Sequence, residues 1–343
     1  MAVTVRCVML LFSLHLFTVG EAHVIINPLT LPCPDPQSIL PCVCTVLPDF
    51  SMDMNCSDVE SGDDLARVFS LEFPFAEFNK LTINKNKNLK ALRGGDLGPT
   101  NYKEIHITNG ALETIVMTAL SGSYSTLTSL NVGHNSLLSF PFQEIHSFRY
   151  LERLDIQDNL LKDFPDMSSP TLQVLQMRDN PLEHITFESL QNLPQLREIG
   201  LQNCGLRAIP SGTFTHLSYL ESVHLEGNKL TTLAADTVDL TTDTNYVHLN
   251  ENNITSVHVD ALRGVRGDVW IQGNQLKELK EEVWRPLLPD IILNAARNPL
   301  ICGCEIAWLI FDGNYMSHVK EDATCSDGEL LHQLDPAIYS QCP

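Results

Sequence analysis

An apolar pattern that returns every two dozen residues constrains this chain more than any other feature. Leu127-Thr-Ser-Leu130-Asn-Val132-Gly-His-Asn135-Ser-Leu137 shares its spacing with Leu151-Glu-Arg-Leu154-Asp-Ile156-Gln-Asp-Asn159-Leu-Leu161 and with Leu220-Glu-Ser-Val223-His-Leu225-Glu-Gly-Asn228-Lys-Leu230. All three read L-x-x-L-x-L-x-x-N-x-L. Anchored on the second apolar position, the series runs Leu81, Ile105, Leu130, Leu154, Leu175, Ile199, Val223, Val247, Val269, Leu293, in steps of 24, 25, 24, 21, 24, 24, 24, 22 and 24 residues. Alternate residues of a strand share a face, so each unit places residues such as Leu154 and Ile156 on one side. A single unit cannot bury that face. Stacked units can, because each covers the next.

This period and consensus are the leucine-rich repeat signature. The expected fold is an α/β-type solenoid: a leucine-rich repeat horseshoe of about ten repeats, with one parallel strand per repeat and disulfide-bonded N- and C-terminal caps. Strands about 4.8 Å apart spread ten repeats over roughly 45 Å. Beyond each strand the Asn position is filled by Asn86, Asn135, Asn159, Asn180, Asn228, Asn252, Asn274 and Asn298, and by Gly110 and Cys204 in the other two repeats. An inward amide there reaches backbone groups of neighbouring repeats. Cys204 reads as an inward ladder thiol, not a reactive one.

The cysteines sit mostly at the ends, where an array needs closing. Cys33, Cys42, Cys44 and Cys56 lie at one end, and Cys302, Cys304, Cys325 and Cys342 at the other. The two C-x-C pairs admit zinc, but an oxidising compartment favours disulfides, with three connectivities open in each group. Cys33-x8-Cys42-x-Cys44-x11-Cys56 resembles the cysteine-rich N-terminal flank of extracellular leucine-rich repeat proteins. Asn298-Pro-Leu-Ile-Cys302-Gly-Cys304, followed by Cys325 and Cys342, resembles their C-terminal flank. That resemblance implies Cys33–Cys44, Cys42–Cys56, Cys302–Cys325 and Cys304–Cys342. The expected organisation is a signal peptide over 1–22, a cap over 23–77, the array over 78–297 and a cap over 298–343.

Arg6, the apolar run Val8 to Val19 and the small residues Gly20 and Ala22 make up the expected signal peptide, with cleavage near His23. The run is too short to span a membrane, and the C-terminus carries no lipid-anchor tail. A secreted, extracellular protein is expected. Asn253-Ile254-Thr255 and Asn55-Cys56-Ser57 match the glycosylation acceptor pattern, with Asn253 preferred because a Cys occupies the middle of the other.

Function classes narrow quickly. With 22 Lys+Arg against 42 Asp+Glu, the formal net charge of −20 weighs against nucleic acid or anionic lipid as partners. No G-x-S-x-G, H-E-x-x-H, G-x-G-x-x-G or P-loop pattern occurs. Asp58, Glu60, Asp63 and Asp64 lack calcium-loop spacing and read as a solvated surface. No catalytic residues, cofactor or resident metal are expected, and the chain reads as a non-enzyme.

The repeat register does name an outward wall. One column runs through Asn131, Asp155, Gln176, Gly200, His224, His248, Trp270 and Asn294. A second, two residues further on, includes Gln157, Arg178, Gln202, Glu226, Asn250 and Gln272. A third, two residues back from the first, includes Ser222, Tyr246 and Asp268. His224, Glu226, Tyr246, His248, Asp268 and Trp270 stand out, since an outward Trp near a Tyr on a polar wall fits an interface anchor. Packing of Trp270 against the C-terminal cap is the alternative. His224 and His248 invite a metal, but two His without a fixed third ligand are weak evidence for one.

Leu40-Pro-Cys-Val-Cys-Thr, then Met54-Asn-Cys-Ser-Asp-Val-Glu-Ser and Leu65-Ala-Arg-Val-Phe, resemble the family of leucine-rich, non-catalytic subunits of crustacean luciferases, with relatives among secreted arthropod proteins. The resemblance implies that this chain performs no oxidation. A separate small catalytic subunit carries the light-emitting chemistry in that family, and the large subunit supports it. The expected function is a secreted, non-catalytic scaffold that binds a protein partner, by resemblance a luciferase-type catalytic subunit, on its concave face. The alternative is a soluble innate-immune recognition protein that binds microbial glycan or lipid.

Overall fold

Chain order and spatial order coincide across one twelve-stranded sheet. The computed structural model describes residues 33–240 and 245–342, so the expected signal peptide over 1–22 lies outside the described residues. Strands β1 (Val43–Val46) and β2 (Met52–Asn55) pair antiparallel. Every later pairing is parallel: β3 (Glu77–Asn84), β4 (Asn101–Thr108), β5 (Ser129–Asn131), β6 (Arg153–Asp155), β7 (Val174–Gln176), β8 (Glu198–Gly200), β9 (Ser222–His224), β10 (Asn245–His248), β11 (Gly267–Trp270) and β12 (Ile291–Asn294). This is the leucine-rich repeat solenoid, with ends closed by disulfides.

The register matches the sequence period residue for residue. Leu81 faces Ile105, Leu130 faces Leu154, and Val223 faces Val247, which in turn faces Val269. All ten anchor residues are completely buried, in one apolar core that runs from Cys33 to Tyr339. Short 3-10 helices at Met117–Ser123, Phe142–Ser147 and Phe187–Leu190 line the opposite side of that core.

The Asn ladder closes each turn. The Asn159 amide donates to Val132 O of the preceding repeat at 3.1 Å and to Ile156 O at 3.0 Å, and its Oδ1 accepts from Leu137 N at 2.9 Å. Asn228, Asn252, Asn274 and Asn298 repeat this pattern. Cys204 stands in for one of them, its buried thiol donating weakly to Met177 O and Gln202 O at 3.5 and 3.4 Å.

The residue before each ladder position is left-handed in all ten repeats, from Lys85 at φ 58° to Arg297 at φ 54°. Only two of the ten, Gly227 and Gly273, are glycines. Asn109, Asp158, Asp179 and Asn203 are residue types that tolerate this region, at a cost of about 1 kcal/mol each. At Gly227 a Cβ would fall 2.0 Å from Asn203 Oδ1, so any side chain there would force the Asn203 amide to move.

Both ends are stapled. Cys33 is bonded to Cys44 and Cys42 to Cys56 beneath the amphipathic helix α1 (Gly62–Phe69), which buries Leu65, Val68 and Phe69. Because β2 pairs in parallel with β3, the sheet runs into the N-terminal cap without a break. At the other end Cys302 is bonded to Cys325 and Cys304 to Cys342, and Tyr339 donates its hydroxyl to Cys302 O at 3.1 Å. No helix among the described residues is long and apolar enough to cross a membrane.

Candidate functional site

Parallel pairing of β9, β10 and β11 sets the outward side chains of the C-terminal half in rows. His224 faces His248, which faces Trp270, while Ser222 faces Tyr246, which faces Asp268. Glu226 follows two residues after His224, beyond the end of β9.

The first row makes a continuous stack. The His224 ring meets His248 edge-on at 4.7 Å between centroids, and His248 lies on Trp270 at 5.0 Å with 8° between planes. Trp270 therefore has a ring partner within the array, on the adjacent strand. Tyr246 belongs to the neighbouring row and is 44% exposed, making it the most open aromatic of the group. The side chains of His224 and Glu226 are half-buried, with His224 Nδ1 at 3.8 Å from Glu226 Oε1. Ser222 Oγ takes the other ring nitrogen of His224, Nε2, at 2.9 Å.

Burial governs the charges here. It pushes the pKa values of His224 and His248 down, and the neighbouring His224 lowers His248 further, while Glu198 works against the shift at His224 and Glu226 and Asp268 against that at His248. It pushes Glu226 up. Both rings are consequently neutral near pH 7 and able to donate a lone pair.

The register thus brings His224, Glu226, His248 and Trp270 together, with Asp268 near enough to His248 to act on its charge. Three further residues of the Glu226 column had not been singled out. Gln202 Oε1, Asn250 Oδ1 and Gln272 Oε1 are sealed from solvent without a hydrogen-bond partner, as are Glu226 Oε2 and Trp270 Nε1. Their shared column was the available signal. The N-terminal half of the wall is instead internally paired: Lys80 with Glu104 at 3.0 Å, and Asn131 with Asp155 at 3.2 Å.

Residues 194–242 match the model of the leucine rich repeat family. The chain is 34% identical over 312 residues to the Oplophorus-luciferin 2-monooxygenase non-catalytic subunit of Oplophorus gracilirostris, spanning 90% of this chain and 87% of that one. It belongs to that family. Membership places it among non-catalytic chains, and it is not an enzyme. Tsukushi of Xenopus tropicalis is 31% identical over 33% of this chain and 34% of its own length. Among solved structures, a chain of the octameric complex of Latrophilin 3 (Lec, Olf), Unc5D (Ig, Ig2, TSP1) and FLRT2 (LRR) superposes with TM-score 0.69, at 22% identity, over 87% of this chain and 92% of that one. The Toll–Spatzle complex of Drosophila gives 0.56 at 17% identity, over 83% and 47%. These two likenesses concern the fold alone.

Proposed function

We propose that this chain is a secreted, non-catalytic scaffold that holds a protein partner on the concave face of its C-terminal half, around His224, Glu226, Tyr246, His248, Asp268 and Trp270. The observation that carries this reading is the exposed Tyr246 beside the His248–Trp270 stack. Large rings held on rigid strands lose little entropy on docking, which suits them as anchors. The repeat relative is a subunit of a luciferin monooxygenase, so a luciferase-type catalytic subunit is the first partner to look for. Asn253, which is exposed, and Asn55, whose Oδ1 accepts from Ser57 N, are the proposed glycan carriers.

Copurification from the native secretion tests the proposal, followed by retention of the eluted protein on immobilised recombinant chain. A protein retained by the wild type and lost on Trp270→Ala supports it. Retention of microbial glycan or lipid with no protein partner would favour the immune recognition reading. Glycosidase treatment should lower the mass, and Asn253→Gln should remove most of that change.

A further inference from the structure

The two histidines and the carboxylate of the wall, which lie within the proposed docking surface, also form a donor set of their own. His224, Glu226 and His248 each offer one ligand atom, and these atoms lie within 4.8 Å of one another. Bonds of about 2.0–2.1 Å at tetrahedral angles place zinc donors roughly 3.4 Å apart. The 3.8 Å from His224 Nδ1 to Glu226 Oε1 approaches that spacing, and a bound ion would have to draw the set together from separations of up to 4.8 Å.

Independent features prepare these groups for a cation. Ser222 Oγ engages His224 Nε2 at 2.9 Å, which leaves Nδ1 as the nitrogen turned toward Glu226. That is the outer hydrogen bond a metal-binding imidazole usually makes. The flat contact with Trp270 fixes the plane of the His248 ring. Glu226 Oε2 is sealed from solvent with no hydrogen-bond partner of its own, and burial raises the pKa of this carboxyl although the Gln202 side chain offsets part of that. Glu198 and Asp268 act on the two rings as nearby negative charges, adding to a chain of net charge −20.

We propose that His224, Glu226 and His248 form a zinc site with three protein ligands, whose remaining position faces away from the sheet and is filled by water or by a donor from a docked molecule. Two imidazoles and a carboxylate suit zinc, whereas calcium and magnesium prefer all-oxygen sets of six or more ligands. Backbone pairing of β9 with β10 holds the two histidines in register, so the site needs no partner chain to assemble. The proposal stands independently of the docking reading.

The experiment uses the full secreted chain, stripped with chelator and titrated with zinc chloride by calorimetry, with cobalt(II) absorption as the coordination probe. Expected are one zinc per chain, a tetrahedral cobalt spectrum, and no competition from excess calcium or magnesium. His248→Gln and His224→Asn should each weaken zinc by at least about tenfold while metal-free thermal unfolding stays close to that of the wild type. Tyr246→Ala should leave zinc binding unchanged, which separates this site from the protein-docking surface. A folded wild type that binds no zinc overturns the proposal, as does binding undiminished in the double histidine variant.

Discussion

The imidazole of His248 lies flat on the indole of Trp270, 5.0 Å between centroids and 8° from parallel, across two adjacent strands. The contact ties the largest side chain of the wall to the same ring that faces His224. Anchor and donor set are therefore mechanically linked.

Truncating the anchor should be costly. Trp270→Ala is expected to weaken binding of the copurified partner by at least ~2 kcal/mol, while Gln157→Ala on the N-terminal half should change it little. Titration of both variants against the isolated partner checks this. Equal losses from the two, or none from Trp270 in a folded variant, would mean that the surface lies elsewhere.

The ladder should reveal itself in stability. Asn159→Ala strips Val132 O, Ile156 O and Leu137 N of their buried partner, and should cost about 1–3 kcal/mol. Cys204→Ala should cost less, because the thiol contacts it loses are weak ones. Chemical denaturation of the two variants side by side measures the difference.

The C-terminal staple closes a separation of 38 residues between Cys304 and Cys342. Cys304→Ser releases that loop and should cost about 2–5 kcal/mol. Thermal unfolding of the purified variant reports the loss, and peptide mapping without reductant reports the pairing.

Cys204 should be chemically silent. Burial pushes its thiol up to about 12, and the side chain is fully enclosed. Alkylating reagent at pH 8 should leave Cys204 unmodified in the native chain and label it once the chain is denatured. Rapid labelling of native protein would contradict the inward placement.

Stability of the metal-free chain should fall with acid. His224 and His248 have folded pKa values below the ordinary value near 6.5, so the unfolded chain takes up protons first as pH drops. The contribution is complete above about pH 6.5 and is lost as pH falls through the lowered values. Glu226, whose carboxyl is raised, acts in the opposite sense nearer the carboxylate range. Denaturation midpoints between pH 7.5 and 5.5, with chelator present, should decline in the wild type and decline less steeply when both histidines become Gln, because His106, also lowered by burial, remains. An unchanged slope in that double variant would assign the effect to other groups.

Much of this molecule follows from spacing alone. The period of 21–25 residues determined the strand register, the ten buried anchors from Leu81 to Leu293 and the inward Asn column, because stacking leaves one way to hide such a face. It also named the outward columns to which His224, Glu226, His248 and Trp270 belong. The left-handed residue before each ladder position was not legible, since Lys85, His134, Glu251 and Arg297 occupy it where glycine would have signalled it. Nor was the site itself. A column says which way a Cβ points, but side-chain torsions decide where the functional atoms end up. Only the folded wall turned His248 onto Trp270, set Ser222 against one nitrogen of His224, and swung Glu226 from the neighbouring column toward the other.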